Sequence, residues 1–427
     1  MTRYITGWRK CFLYGRIALT VAGRYGCKPS LFGWSPVAYG RFLQRALRLL
    51  LVFRHHKAVR TNQGYKLDLY LPAYPSEAFF WALEGKLLRT PPRPVTVVYS
   101  MTKACPYRCS HCYQRKDENA ELDESVLIAT AKELQKMGVA LFDIEGGEPF
   151  VRFPRLLKLM ESLDERSELW VNTTGAGIKP GMLEQLKRTG LFGVMVSIHS
   201  PRAQKHDELT GVRGSWDVAC ETVKQSRVLG IAVAINSVLS EPELRADGLD
   251  QMMELAKRVD ADFVQLIHPK PAGMWLGRDE GMQKEAGFIR SVENEAQKFN
   301  SRHRKEFPSL VAQVYEESSS VLGCTAGGVD RFYVNATGEI QPCEFLNVSF
   351  GNVREEPLDL VFSRMRDAFK EPACDWLCCT QGAAIHDLIQ KSDLKRTPLP
   401  WAQTKGLVEK WNRGQATPLY KKLGIYR

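Results

Sequence analysis

The residues best suited to chemistry in this chain are three closely spaced cysteines, in Cys105-Pro-Tyr-Arg-Cys109-Ser-His111-Cys112. Three thiolates make an incomplete ligand set. A 4Fe-4S cluster normally takes four, so three leave one iron open to a small molecule. The amino and carboxylate groups of a methionine-type ligand can chelate that iron, and reduction can then break a sulfonium bond. The alternative is structural zinc with His111 as the fourth ligand. Zinc usually uses ligand pairs separated along the chain, and His111 lies between two cysteines, where simultaneous chelation is strained.

A loop of this kind needs a rigid frame. From residue 95 onward, short runs rich in Val, Ile, Leu and Phe alternate with amphipathic stretches. Strands are expected at 95–100, 139–145, 168–172, 192–197, 231–238 and 262–267, and helices at 123–137, 153–163, 180–188, 216–229 and 249–259. Six strand–helix repeats predict an α/β protein, a partial (β/α)6 TIM-like barrel with a parallel sheet and right-handed crossovers. Chemistry in such barrels sits at the C-terminal ends of the strands, where the cysteine loop begins. A charged helix over 285–303 and the turn signal Asn335-Ala336-Thr337-Gly338 predict a smaller, separate module beyond the barrel. Cys220 falls within a predicted helix and reads as a small buried apolar residue.

The C-x3-C-x2-C spacing after a first barrel strand resembles the radical S-adenosylmethionine superfamily, over roughly residues 94–300. The resemblance implies that Cys105, Cys109 and Cys112 hold a catalytic 4Fe-4S cluster, with His111 placed near the adenine. Glu145-Gly146-Gly147-Glu148-Pro149, after the second strand, is similar to the family's segment that binds the methionine amine. This implies cofactor-binding roles for Gly146, Gly147 and Glu148. Asn172-Thr173-Thr174-Gly175 resembles the turn near the ribose. Ser197 and the loop to Gly211-Val212-Arg213-Gly214 resemble the segment contacting ribose and carboxylate, with Arg213 as the partner of the methionine carboxylate. His199 and His206 are read as loop or core histidines.

A second group follows: Cys324, Cys343, Cys374, Cys378 and Cys379. Cys324, the Gly338-x4-Cys343 step and Gly351-Asn352-Val353 resemble the SPASM or twitch extension of the same superfamily. The resemblance implies one auxiliary 4Fe-4S cluster on Cys324, Cys343 and two of the remaining three. A zinc knuckle is the competing reading, since four thiolates satisfy either metal.

Residues 1–60 carry twelve Lys and Arg and no Asp or Glu, so the other 367 residues sum to about −1. Arg41, Arg45 and Arg48 recur at helical spacing beside a rich apolar side. That is the pattern of an interfacial helix on anionic lipid, or of a helix packed on the barrel with a solvated arginine face. No recognition module for nucleic acid accompanies the charge, and no apolar run is long enough to span a bilayer. Without an export signal, the cysteines read as metal ligands in a reducing cytoplasm, with association at the inner face of the membrane. The expected domains are a basic N-terminal segment (1–93), the barrel (94–305), the auxiliary-cluster module (306–392) and a basic tail (393–427) without assigned chemistry.

The expected activity is reductive cleavage of S-adenosylmethionine to a 5'-deoxyadenosyl radical, which abstracts hydrogen from an unactivated carbon, with electrons from a flavodoxin- or ferredoxin-type donor. The membrane reading makes a lipid or other hydrophobic molecule the first substrate expectation. A peptide, modified by a ribosomal peptide maturase, is the second. A non-catalytic iron-sulfur electron-transfer or binding protein is the alternative from another class.

Overall fold

The computed structural model describes residues 3–114, 119–245, 247–278, 286–392 and 397–426. Its N-terminal part comprises β1 (Tyr4–Ile5), helices α1 (Gly7–Gly26) and α2 (Pro36–Val52), β2 (Ala58–Thr61), β3 (Gly64–Lys66) and α3 (Glu77–Leu87). Helix α2 starts where Ser35 accepts a hydrogen bond from the Ala38 N–H, with Pro36 at its first position. The catalytic frame follows as β4 (Thr96–Ser100), β5 (Leu141–Glu145), β6 (Glu168–Thr173), β7 (Leu191–Ser197), β8 (Ala232–Val238), β9 (Phe263–Ile267) and β10 (Ser309–Ala312). The hairpin β11 (Arg331–Val334) and β12 (Ile340–Gln341) comes last.

Strands β4 to β9 are the six expected from sequence, and each pairs parallel to the next. The sheet continues at both ends: β10 adds parallel to β9, and β11 adds parallel to β4, giving the order β10-β9-β8-β7-β6-β5-β4-β11-β12. The C-terminal module therefore shares the barrel's sheet. Each strand alternates its faces. On β5, Phe142 and Ile144 pack outward with the helices, while Leu141, Asp143 and Glu145 face inward. Cys220 is buried in its helix, as expected.

The N-terminal segment closes the lower end of the barrel. Val59, Leu69 and Ala73 join Leu141, Trp170, Met195, Ala234, Phe263 and Val311 in an apolar plug. Beside it, fully buried Lys66 donates to Glu168 at 2.6 Å and to the carbonyls of Leu69 and Leu71. Glu168 also accepts from Trp170 Nε1 and the Ala73 N–H. The ion pair is tolerated at this depth because these further bonds satisfy both ends.

The arginine helix is a packed helix. Phe42, Ala46, Leu49 and Leu50 of α2 are buried in a second core with Leu13, Ile17 and Val21 of α1 and with Tyr420 and Leu423. Arg45 and Arg48 donate to the carbonyls of Gly424 and Lys422. The basic C-terminal segment thus has a structural task that composition does not reveal: its helix Pro418–Leu423 covers α2.

His56 joins this segment to the barrel. Its Nε2 lies 2.5 Å from Glu316 Oε1 and its Nδ1 lies 3.2 Å from Asp68 Oδ2. His55, His56 and Glu316 bring potential metal donors within 4.8 Å of one another. The 2.5 Å separation is nevertheless that of a shared proton, with no space for an ion between the two groups. Burial alone would lower the His56 pKa, but the Glu316 charge and the bonds to Asp68 and Glu316 raise it to about 10. A histidine raised above its unfolded value contributes stability that is complete below pH ~6.5 and lost as pH rises toward 10. Urea denaturation from pH 6 to 10 is expected to show this alkaline decline, and His56→Gln, destabilised by about 3 kcal/mol at pH 6, is expected to flatten it. Parallel profiles for the two proteins would contradict a charged His56.

Candidate active site

Residues 105–112 have almost no secondary structure of their own, so neighbouring backbone must hold the thiols in place. On one side, Gly147 N–H donates to the Thr102 carbonyl and Glu148 N–H to the Ala104 carbonyl, both at 2.7 Å. On the other, Arg108 N–H donates to Thr210 O and Ser110 N–H to Leu209 O. From above, Met274 N–H donates to the Cys112 carbonyl. A Cβ built on Gly147 would fall well inside contact distance of the Ala104 carbonyl oxygen. Glycine is needed here for close approach of two backbones.

Glu148 is fully buried and does not line the cavity. Its carboxylate accepts from the Phe150 N–H, the Thr173 hydroxyl, and both the N–H and the hydroxyl of Thr174. Through these bonds it ties the β5 loop to the end of β6.

The cavity above the strand ends has a volume of about 430 Å³. Cys105, Cys109, Cys112, His111, Gly146, Gly147, Asn172 and Ser197 all line it. Arg213 does not: it is exposed on its loop, away from the cavity lining. That loop is organised by Asp207, which accepts from the N–H groups of Gly214 and Trp216 and from the Ser215 hydroxyl. His111 packs edge-on to His199, with ring centroids 4.3 Å apart, and against Trp275 at 5.7 Å. Burial lowers the His111 pKa to about 4, with the His206 charge adding to the effect, so the ring in the wall is neutral. His206 is structural, its Nδ1 accepting from the His199 N–H.

Sequence motifs did not single out the polar floor: Asp143, Glu145, Asn236, Gln265 and, from the N-terminal segment, Tyr70. The available signal was polar residues at period-two spacing inside otherwise apolar strands. Burial and then the Glu344 charge raise the Asp143 pKa to about 7; burial and then the Asp143 charge raise that of Glu145 to about 8.

In the second group, Cys324, Cys343 and Cys378 line one small cavity of about 20 Å³ with Lys270, Arg331 and Trp376. Cys379 neighbours Cys378, whereas the Cys374 thiol donates to the Gln415 carbonyl at 2.8 Å. No disulfide forms among the eleven cysteines. Among the described residues, no three of these thiols lie within 4.8 Å of one another.

Residues 99–256 match the model of the radical SAM superfamily. The chain is 24% identical over 301 residues to the AdoMet-dependent heme synthase of Methanosarcina barkeri, covering 64% of this chain and 85% of that one. It is 26% identical over 281 residues to the PqqA peptide cyclase of Xanthomonas euvesicatoria, covering 62% and 73%. Its fold resembles Streptococcus suis SuiB bound to its precursor peptide SuiA, with a TM-score of 0.53 and 17% identity over 75% of this chain and 77% of that one. With a parallel partial barrel and a three-cysteine loop at its C-terminal edge, residues 99–256 form a radical SAM domain. The protein is an enzyme whose radical SAM domain implies a 4Fe-4S cluster and S-adenosylmethionine.

Because the loop depends on backbone approach, Gly147→Ala is expected to lose most of its loop-bound iron after anaerobic reconstitution while retaining the fold. Iron analysis with circular dichroism tests this; wild-type iron content would contradict the clamp.

Proposed function

We propose that this enzyme modifies a peptide, with Cys105, Cys109 and Cys112 as ligands of the catalytic cluster. When bound, the cluster supplies, with one electron from a flavodoxin- or ferredoxin-type donor, reductive cleavage of S-adenosylmethionine to methionine and a 5'-deoxyadenosyl radical that takes a hydrogen atom from substrate carbon. The chain's own residues orient the reactants. Gly146 and Gly147 let the backbone of residues 102–104 approach closely, Asn172 and Ser197 offer hydrogen bonds from adjacent strand ends, and His111 with Trp275 walls one side.

The observation that carries the peptide reading is the lining of the cavity. Asn172, Asn236, Gln265, Gln313 and three carboxylates, Asp143, Glu145 and Glu344, line the space where substrate must lie, and such groups pair with amides and charged side chains. An acyl chain would leave them buried and unpaired. Similarity to PqqA peptide cyclases supports this choice over the lipid expectation.

The auxiliary cluster is assigned to Cys324, Cys343 and Cys378, completed by Cys379 or Cys374. Reconstituted enzyme is expected to hold eight Fe per chain ([4Fe-4S] twice, about the sum of two cubes) and to release 5'-deoxyadenosine under dithionite. Cys109→Ala is expected to lose that release, and Cys343→Ala to keep the loop cluster alone. Equal release from wild type and Cys109→Ala, or one zinc in place of the second cluster, would overturn these assignments.

No helix among the described residues is long and apolar enough to cross a membrane. Membrane contact is assigned instead to the outer side of α1. Of the twelve exposed large apolar side chains among the described residues, eight lie in the first 51 residues. Trp8, Phe12 and Leu19 recur at helical spacing on one stripe of α1, opposite its buried stripe. Arg9, Arg16, Lys28 and Arg41 are exposed in the same acid-free segment, which gives charge complementarity to anionic lipid. In flotation, the protein is expected to rise with vesicles containing phosphatidylglycerol and not with pure phosphatidylcholine. Trp8→Ser/Phe12→Ser/Leu19→Ser is expected to stay at the bottom, and equal flotation by the triple variant would remove this surface.

A further inference from the structure

Inward-facing side chains of the barrel change character with height. Immediately above the apolar plug, Asp143, Asn236 and Gln265 face the cavity, with Glu145 one inward position further along β5. Asp143 is 2% exposed, Gln265 4% and Asn236 8%. Each leaves an oxygen without a hydrogen-bond partner: Asp143 Oδ1, Asn236 Oδ1 and Gln265 Oε1. Gln265 Nε2 donates to Tyr70 Oη at 2.6 Å, which orients its amide and turns the oxygen elsewhere. All three orphaned atoms are acceptors, and a buried acceptor left unpaired is destabilising.

The cations nearby already have partners. Arg331 pairs with Glu317 at 3.0 Å and Glu344 at 3.6 Å. Lys270 donates to the His268 carbonyl and Gln313 Oε1 and lies 3.5 Å from the Trp376 ring centroid. Glu145 receives bonds from Tyr113 and Gln114, but these donors are neutral. Among the described residues the two carboxylates of β5 therefore have no ion pair of their own, Arg331 acting on Asp143 only through space while it pairs with Glu317 and Glu344, and the amide oxygens beside them lack donors.

We propose that Asp143, Glu145, Asn236 and Gln265 form a subsite for a cationic, multi-donor group of the substrate, an ammonium or guanidinium. The proposal rests on the reading of this cavity as the substrate chamber. An ammonium carries three donors and a guanidinium five, matching an orphaned set of acceptors better than a hydroxyl or amide does. A cation here also lets both carboxylates ionise together, which their mutual repulsion and burial otherwise oppose. The position at the floor, below the cysteine loop, places the charged end of a side chain deepest and its carbon stem closer to the reacting centre.

The test uses reconstituted holoenzyme with S-adenosylmethionine and measures binding of acetyl-Gly-Lys-Gly-amide, its norleucine counterpart and n-butylammonium. The lysyl peptide is expected to bind about ten-fold more tightly than the norleucine peptide. Asp143→Asn is expected to bring that ratio near one. Asn236→Asp is expected to increase it, a gain that misfolding does not produce. Butylammonium binding as tightly as the lysyl peptide assigns the subsite to a free amine; weaker binding assigns it to a basic side chain. Equal affinities for lysyl and norleucine peptides in an enzyme that forms 5'-deoxyadenosine would overturn the subsite alone. Lack of 5'-deoxyadenosine with a preserved lysyl preference would overturn the radical reading and leave the subsite standing.

Discussion

The structure depends on a backbone clamp. The cysteine loop has no ladder to fix it, so its three thiols are aimed by main-chain hydrogen bonds from the β5 turn, from the helix Ala203–Thr210 and from the turn Gly273–Trp275. Gly147 makes the closest of these approaches possible, and Glu148 keeps the glycine turn in place by bonding across to Thr173 and Thr174. Backbone bonds suit this task because a cluster site must be pre-formed to within fractions of an ångström, and rotamers do not have to be frozen to achieve it.

The clamp needs a rigid sheet beneath it, and the N-terminal segment supplies part of that rigidity. Lys66 and the apolar plug close the barrel's lower end, while His56 couples the segment to Glu316 just after β10. The same segment contributes Tyr70 to the cavity floor through Gln265. A stretch whose composition suggests only a basic appendage is thus continuous with the active-site wall.

Much of this was legible in the sequence. The six strands were readable because buried parallel strands are short, apolar and evenly separated by amphipathic helices. The cysteine loop was readable because thiol spacing is a local property. The partners of Glu148, Thr173 and Thr174, sit at the end of the next strand, and a carboxylate in a turn carries no mark of them. The exposed position of Arg213 was not legible for the same reason, since side-chain direction on a loop is set by tertiary contacts such as those of Asp207. Pairing of β11 with β4 joins residues more than 200 apart and has no local signature. Asp143 and Glu145 were visible as charges two apart in an apolar strand, a pattern that in a buried sheet marks a lined cavity.

The central claim is that the three-cysteine loop holds a cluster whose open iron receives S-adenosylmethionine. Electron–nuclear double resonance on the reduced enzyme with S-adenosylmethionine carrying 15N at the methionine amine tests it most directly. The account predicts a 15N coupling to the reduced cluster in wild type that disappears in Cys112→Ala. A fully reconstituted, reduced loop cluster with no 15N coupling would contradict it.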